Sequence, residues 1–238
     1  HGIGAGKTLV AAATMLSLID IYIPILMFPK SLQSNFLNSI DMLIGDPILA
    51  DKIKSRLSFV TSDAFNSSAQ IKAKAASFDG KLLIVEEAHN FFKAIVNSST
   101  TTSNAKTIYD MIMASTNMRI LFLTGTPIVK DPFELSACIN MLTGRETLPM
   151  SYENFYDMFV QNGTSLKNKN KLQNRIFGLV SHVTFTKPLT PDSSGIDEGE
   201  FGFPKNLGVT YGLCETKLLC ILTYIGNLLF TPFNCEVV

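Results

Sequence analysis

The chain has 238 residues, with 20 Lys+Arg against 20 Asp+Glu, 46% apolar and 17% charged residues, four cysteines and no tryptophan. That length carries a sizeable core, the apolar fraction excludes a disordered chain, and a formal charge of zero excludes a polybasic tail while leaving room for a local basic face. Cys138, Cys214, Cys220 and Cys235 lack C-x-x-C spacing, which argues against a zinc or thioredoxin-type site and suits a reducing compartment.

The chain opens His1-Gly-Ile-Gly4-Ala5-Gly6-Lys7-Thr8, and a helix is expected from Gly6 to Ile19. The apolar run 9–28 approaches the ~20 residues of a bilayer-spanning helix. Asp20 and Pro24 interrupt it, so a buried helix followed by a buried strand at Ile23–Phe28 explains the same residues, and no membrane partner is expected. Leu32, Phe36, Ile40 and Leu43 recur at helical spacing and predict a helix over 31–43. A strand at Leu57–Thr61, a helix at 64–77 and a buried strand at Lys81–Val85 follow. The Ser/Thr run 98–103 then precedes a helix at 105–116, a strand at Arg119–Leu123 and a helix at 132–142.

Short apolar strands alternating with helices predict βαβ units, hence an α/β fold with a parallel sheet covered on both faces. Beyond Arg145 the pattern loosens into polar-faced helices over 152–160 and 171–180 and an acidic loop over 188–200. A boundary is expected near Gly144, with one unit at 1–144 and an extension at 145–238.

Three short segments carry chemistry. Gly4-Ala5-Gly6-Lys7-Thr8 is a glycine-rich turn at a helix N-terminus, where backbone N–H groups and the helix dipole favour an anion. In that role Lys7 reaches the β- and γ-phosphates of a nucleotide and the Thr8 hydroxyl ligates Mg²⁺. The strict G-x-x-x-x-G-K-[ST] pattern has glycine where His1 stands, and an ordinary turn before a helix is the alternative.

Leu82-Leu-Ile-Val-Glu86-Glu87-Ala-His89 places two carboxylates directly after a buried strand, at the end where open α/β sheets bind ligands. Alternation along the strand would aim them apart, Glu86 toward Mg²⁺ and Glu87 toward an attacking water as its base. A solvated acidic pair is the alternative reading. Leu121-Phe-Leu-Thr124-Gly125-Thr126-Pro127 ends a third apolar run in small hydroxyl residues, which either couple to His89 or form a plain Gly/Pro turn.

Together these segments resemble the superfamily 2 helicases and translocases. Gly4-x-Gly6-Lys7-Thr8 is similar to motif I, Val85-Glu-Glu-Ala-His89 to the DEAH-box motif II, and Thr124-Gly-Thr-Pro127 to motif III. Phe28-Pro29-Lys30-Ser31-Leu32 resembles motif Ia, and Phe59-Val-Thr61 with the four residues after it resembles motif Ib. The stretch 124–142, with Pro132-Phe-Glu-Leu135, is similar to the Snf-type branch. Within it the chain looks most like the helicase-like ATPases of large cytoplasmic DNA viruses, the group of the early transcription factor small subunit and nucleoside triphosphate phosphohydrolase I. The match over 152–224 is looser.

The resemblance implies a RecA-like P-loop NTPase lobe, here without its first strand, followed by a mostly helical linker toward a second lobe. It implies ATP and Mg²⁺ as cofactors, with Gly4, Ala5, Gly6, Lys7 and Thr8 binding nucleotide and Thr8 and Glu86 holding the metal. Glu87 and Lys7 are the implied catalytic residues, His89, Thr124, Gly125 and Thr126 the coupling residues, and Pro29, Lys30 and Ser31 the nucleic-acid contacts. The implied activity is nucleic-acid-dependent ATP hydrolysis, on DNA first and in viral transcription, with a polymerase or transcription-factor subunit as partner. The setting would be intracellular, in virion and host cytoplasm.

Two departures bear on activity. Glu86 stands where the family has Asp, which shifts the carboxylate by about one C–C bond. None of Arg56, Arg119, Arg145 and Arg175 sits in a Q-x-x-x-R-x-x-R pattern that would steady a transferring phosphoryl group. The isolated chain is therefore expected to bind ATP weakly and turn it over poorly, and a non-catalytic interaction module that keeps the fold remains the alternative.

Overall fold

The computed structural model describes residues 6–62, 67–98, 103–162 and 165–181, together with the backbone of Ile221 and Leu222. In chain order the helices are α1 (Lys7–Leu18), α2 (Gln33–Ile44), α3 (Pro47–Lys54), α4 (Ser67–Lys74), α5 (Ala88–Val96), α6 (Asn104–Ala114), α7 (Glu134–Thr143), α8 (Tyr152–Phe159) and α9 (Lys169–Ile176). The strands are β1 (Ile23–Phe28), β2 (Ser58–Thr61), β3 (Lys81–Glu86), β4 (Arg119–Leu123), β5 (Val160–Gln161), β6 (Ser165–Leu166), β7 (Val180–Ser181) and β8 (Ile221–Leu222).

The main sheet runs β2-β1-β3-β4-β8-β7 with every neighbouring pair parallel, and β5 and β6 form a separate antiparallel pair. β1 and β3 carry nearly unbroken apolar runs because helices cover both faces. The period-two alternation of a strand divides those runs. Leu26, Phe28, Leu82, Ile84, Leu121 and Leu123 pack with α1 and α2, through Ala11, Met15, Phe36 and Ile40. Ile25, Met27, Leu83, Val85, Ile120 and Phe122 pack on the other face with Ile71 of α4, Phe92 of α5, Ile108 of α6 and Ile139 of α7. Phe92 and Phe122 meet edge to face with centroids 5.0 Å apart.

That second cluster continues past Gly144: Phe155, Phe159, Leu172, Ile176 and Leu179 belong to it. α7 lies against α5 and α6, and each of its residues from Glu134 to Leu142 is buried.

The parallel α/β architecture follows the expected order, with differences at element ends. Two helices lie where no element is expected. α5 buries Ala88, Phe91, Phe92 and Ile95, one stripe at helical spacing. α3 starts with Asp46 as its cap and Pro47 in its first turn. The Asp46 carboxylate accepts the N–H groups of Ile48 at 2.9 Å and Leu49 at 3.3 Å. Asp46→Ala is expected to cost about 1 kcal/mol, read as a lowered urea midpoint with unchanged slope.

A 3₁₀ turn, Lys30–Leu32, precedes α2, so the helix expected from Ser31 begins at Gln33. The helix expected over 171–180 ends at Ile176, because Phe177 turns extended and Gly178 takes φ 77, a left-handed conformation that favours glycine. Val180–Ser181 then pairs with β8. The extension is thus helical with strand pairing added, and the loop expected over 188–200 lies outside the described residues.

Candidate nucleotide-binding site

Alternation along β3 and β4 decides which face each chemical group meets. Glu86 closes β3 on the face of Leu82 and Ile84, the face covered by α1. It is 4% exposed, and its Oε2 has no hydrogen-bond partner. Burial, reinforced by the charge of Glu87 and opposed by the Lys7 ammonium, pushes its carboxyl pKa from 4.5 up to about 7. Lys7 and Glu86, 79 positions apart in the chain, therefore share one electrostatic neighbourhood.

Lys7 opens α1, and Gly6 before it takes φ 74 as the helix N-cap. Thr8 is half-buried in the same first turn. Gly4 and Ala5 lie outside the described residues.

Glu87 does not diverge from Glu86 by strand alternation. The strand ends at Glu86, and Glu87 takes φ 51, the left-handed region that costs a non-glycine residue on the order of 1 kcal/mol. That turn starts α5 and keeps the Glu87 carboxylate partly exposed, with Oε2 3.3 Å from His89 Nδ1.

The same Nδ1 is hydrogen-bonded to Thr124 Oγ1 at 2.8 Å, and the Thr126 N–H donates to Thr124 Oγ1 at 3.1 Å. Thr124 follows β4 directly and is fully buried. Gly125 is half-buried and Thr126 exposed. Hydrogen bonds therefore run His89–Thr124–Thr126, with the Glu87 carboxylate in close polar contact at the His89 end.

Pro29, Lys30 and Ser31 leave the carboxyl end of β1, the sheet neighbour of β3, so they share that edge of the sheet with Glu86. Lys30 and Ser31 are exposed. Phe91 and Phe92, five and six residues past Glu86, are buried core residues.

Three of the four described arginines serve elsewhere. Arg56 bonds Asp20 and the Ile19 carbonyl, Arg119 lies over Tyr22, and Arg175 lies over Phe159. Among the described residues no cluster of three or more His, Cys, Asp or Glu could hold a metal by itself, and no helix is long and apolar enough to cross a membrane. A buried carboxylate oxygen without a partner, within the field of a Lys ammonium, does fit a hard divalent cation that takes its remaining ligands from phosphate and water.

The termination factor NPH-I homolog of African swine fever virus (isolate Pig/Kenya/KEN-50/1950) is 47% identical to this chain over 192 residues, 77% of the chain. By this likeness the chain matches the viral helicase-like group. A protein of Acanthamoeba polyphaga mimivirus named for an inferred ATP-dependent RNA helicase activity is 32% identical over 117 residues, 45% of this chain and 14% of that protein. Nucleoside triphosphatase I of Melanoplus sanguinipes entomopoxvirus is 33% identical over 116 residues, 47% of this chain and 16% of that protein. The chain spans 27% of the length of the African swine fever virus protein. No family model matches it.

That likeness accords with the α/β sheet and with helices on both of its faces. Two features of the site are not read from motif spacing. The Glu86 oxygen without a partner depends on how tightly α1 and β4 close over it. Glu134, in the apolar run after the Thr124 segment, bonds that loop; the only signal in sequence is an acid among residues that are otherwise core-like.

Proposed function

We propose that this chain is the ATP-binding lobe of a nucleic-acid-dependent ATPase of helicase type, which hydrolyses ATP to ADP and phosphate. The observation that carries the proposal is the partnerless Glu86 oxygen beside Lys7, with Glu87, His89 and Thr124 joined next to it. Support comes also from the names of the relatives, among them a nucleoside triphosphatase and a termination factor.

In this reading the glycine turn from Gly4 to Gly6 and the first-turn amides of α1 cradle the phosphates. Lys7 binds the β- and γ-phosphates, while Thr8 and Glu86 hold Mg²⁺. The metal would supply charge neutralisation on the phosphate oxygens. Glu87 orients a water and takes its proton. His89 fixes the Glu87 carboxylate through Nδ1, and Thr124 fixes His89.

Arg56 and Arg119 sit at the amino-terminal side of β2 and β4, the sheet end opposite Glu86. Full turnover would then draw its phosphate-stabilising arginine from outside these positions, and the chain alone turns over slowly. Pro29, Lys30 and Ser31 would contact nucleic-acid phosphates, duplex DNA first. The termination-factor name of the swine fever virus protein favours a place in viral transcription beside a polymerase, in virion or host cytoplasm.

Lys7→Ala is the test of binding. Hydrogen bonds from a charged donor are worth about 1.5–3 kcal/mol, so affinity for a fluorescent ATP analogue should fall about 10- to 100-fold. Equal affinity in both proteins would remove the site.

A further inference from the structure

The segment between β4 and α7 is tied at three points. At its start Thr124 is bonded to His89. In its middle the Glu134 carboxylate, fully buried, accepts the N–H of Val129 at 2.8 Å through Oε2 and that of Lys130 at 3.3 Å through Oε1. At its end the Asp131 carboxylate accepts the Phe133 N–H at 2.8 Å and the hydroxyl of Tyr156, on α8, at 2.9 Å.

Aromatic packing continues that last tie. Tyr156 stacks on Tyr152 with centroids 4.2 Å apart, and Phe133 meets both Tyr152 and Phe155 at 5.6 Å. A carboxylate without exposure is costly to bury and is kept only where its oxygens are bonded. Glu134 spends both oxygens on the backbone of this loop and none on a cation.

The geometry points to Glu134 as a positioning residue: it holds the loop after β4 rigid, so that a change at Glu87 and His89 reaches α8 through Asp131 and Tyr156. Without the Glu134 tie, the loop between Thr126 and Asp131 could absorb a shift of Thr124 locally. With it, Thr124 and Asp131 move as one piece, and the Asp131–Tyr156 bond passes the displacement to α8. The proposal rests on nucleotide binding at Lys7, and its consequence is that α8 reports nucleotide state although it does not line the site.

Amide hydrogen exchange on the chain, with and without a non-hydrolysable ATP analogue and Mg²⁺, tests this. In the parent the analogue should slow exchange over residues 125–131 and 152–159 by about tenfold. In Glu134→Gln, where the amide meets one backbone N–H with a like donor, both responses should vanish while analogue affinity stays within about twofold. In Tyr156→Phe the loop response should persist and the α8 response vanish. A merely structural Glu134 would raise exchange throughout α7 and leave the nucleotide response of α8 intact; that result overturns the proposal. So does a parent in which bound analogue leaves α8 unchanged. If the parent binds no analogue, the nucleotide reading fails on its own, and the relay is then read from His89→Ala without nucleotide. Faster exchange in both segments supports it, and no change in α8 overturns it.

Discussion

Glu87→Gln should lower ATP hydrolysis about 10²- to 10⁴-fold, the usual contribution of a positioned general base, with nucleotide affinity held within about twofold. Single-turnover hydrolysis with duplex DNA present measures the first, and the fluorescent-analogue titration measures the second. The expectation follows from the position of this carboxylate. Its backbone is held left-handed at φ 51 at the start of α5, and its Oε2 is 3.3 Å from a ring nitrogen that is itself held by Thr124. Glutamine keeps the shape but accepts no proton. A variant that hydrolyses ATP at the parent rate would assign the proton transfer to another group and withdraw Glu87 from its proposed role.

The second large effect concerns Glu86 and is opposite in sign for stability and for binding. Its folded-state pKa, about 7, lies above the ordinary 4.5. A raised carboxyl pKa means that the folded protein prefers the protonated acid. Stability from this group is therefore complete below about pH 4.5 and is lost as pH rises to about 7 and beyond, in all on the order of 3 kcal/mol. Glu86→Gln, which stays neutral, should melt about 6–12 °C higher than the parent at pH 8, and the difference should shrink below pH 5. The same substitution should weaken Mg²⁺-dependent ATP binding, and parental binding should strengthen as pH rises through about 7. Thermal unfolding at two pH values without nucleotide, and titration of Mg²⁺ at fixed nucleotide, measure both. Equal melting temperatures at pH 8 would show that the carboxylate is solvated or already paired. The expected cost of ionising this buried carboxylate is the physical counterpart of a place suited to a cation.

Much of this protein is legible along the chain. Ile23–Phe28, Leu82–Val85 and Ile120–Leu123 are short apolar runs set between helices, and a parallel sheet covered on both faces is the arrangement that buries both sides of such runs. α5 and α3 are legible by the same rules, the first by Ala88, Phe91, Phe92 and Ile95 at helical spacing, the second by Asp46-Pro47 as cap and first turn. Element ends are less so. α9 stops at Ile176 because Gly178 turns left-handed, a choice settled by the pairing of Val180–Ser181 with β8.

At the candidate site, residue types and spacing by themselves pick out Lys7-Thr8, Glu86-Glu87 and Thr124, since a phosphate needs a glycine turn with a cation and a water needs a carboxylate. What spacing leaves open is distance and dielectric. Only the packing of α1 over β3 puts Lys7 near Glu86 and shuts water from Oε2. Only the turn at Glu87 aims its carboxylate toward His89, and only the approach of α8 to the loop after β4 brings the Tyr156 hydroxyl to Asp131. Local sequence determines which groups are present and on which face of a strand they emerge, because alternation is a property of the backbone itself. The charge state of Glu86 and the connection from Thr124 to α8 belong to the tertiary structure, because burial and hydrogen bonding between distant segments exist only once the layers have packed.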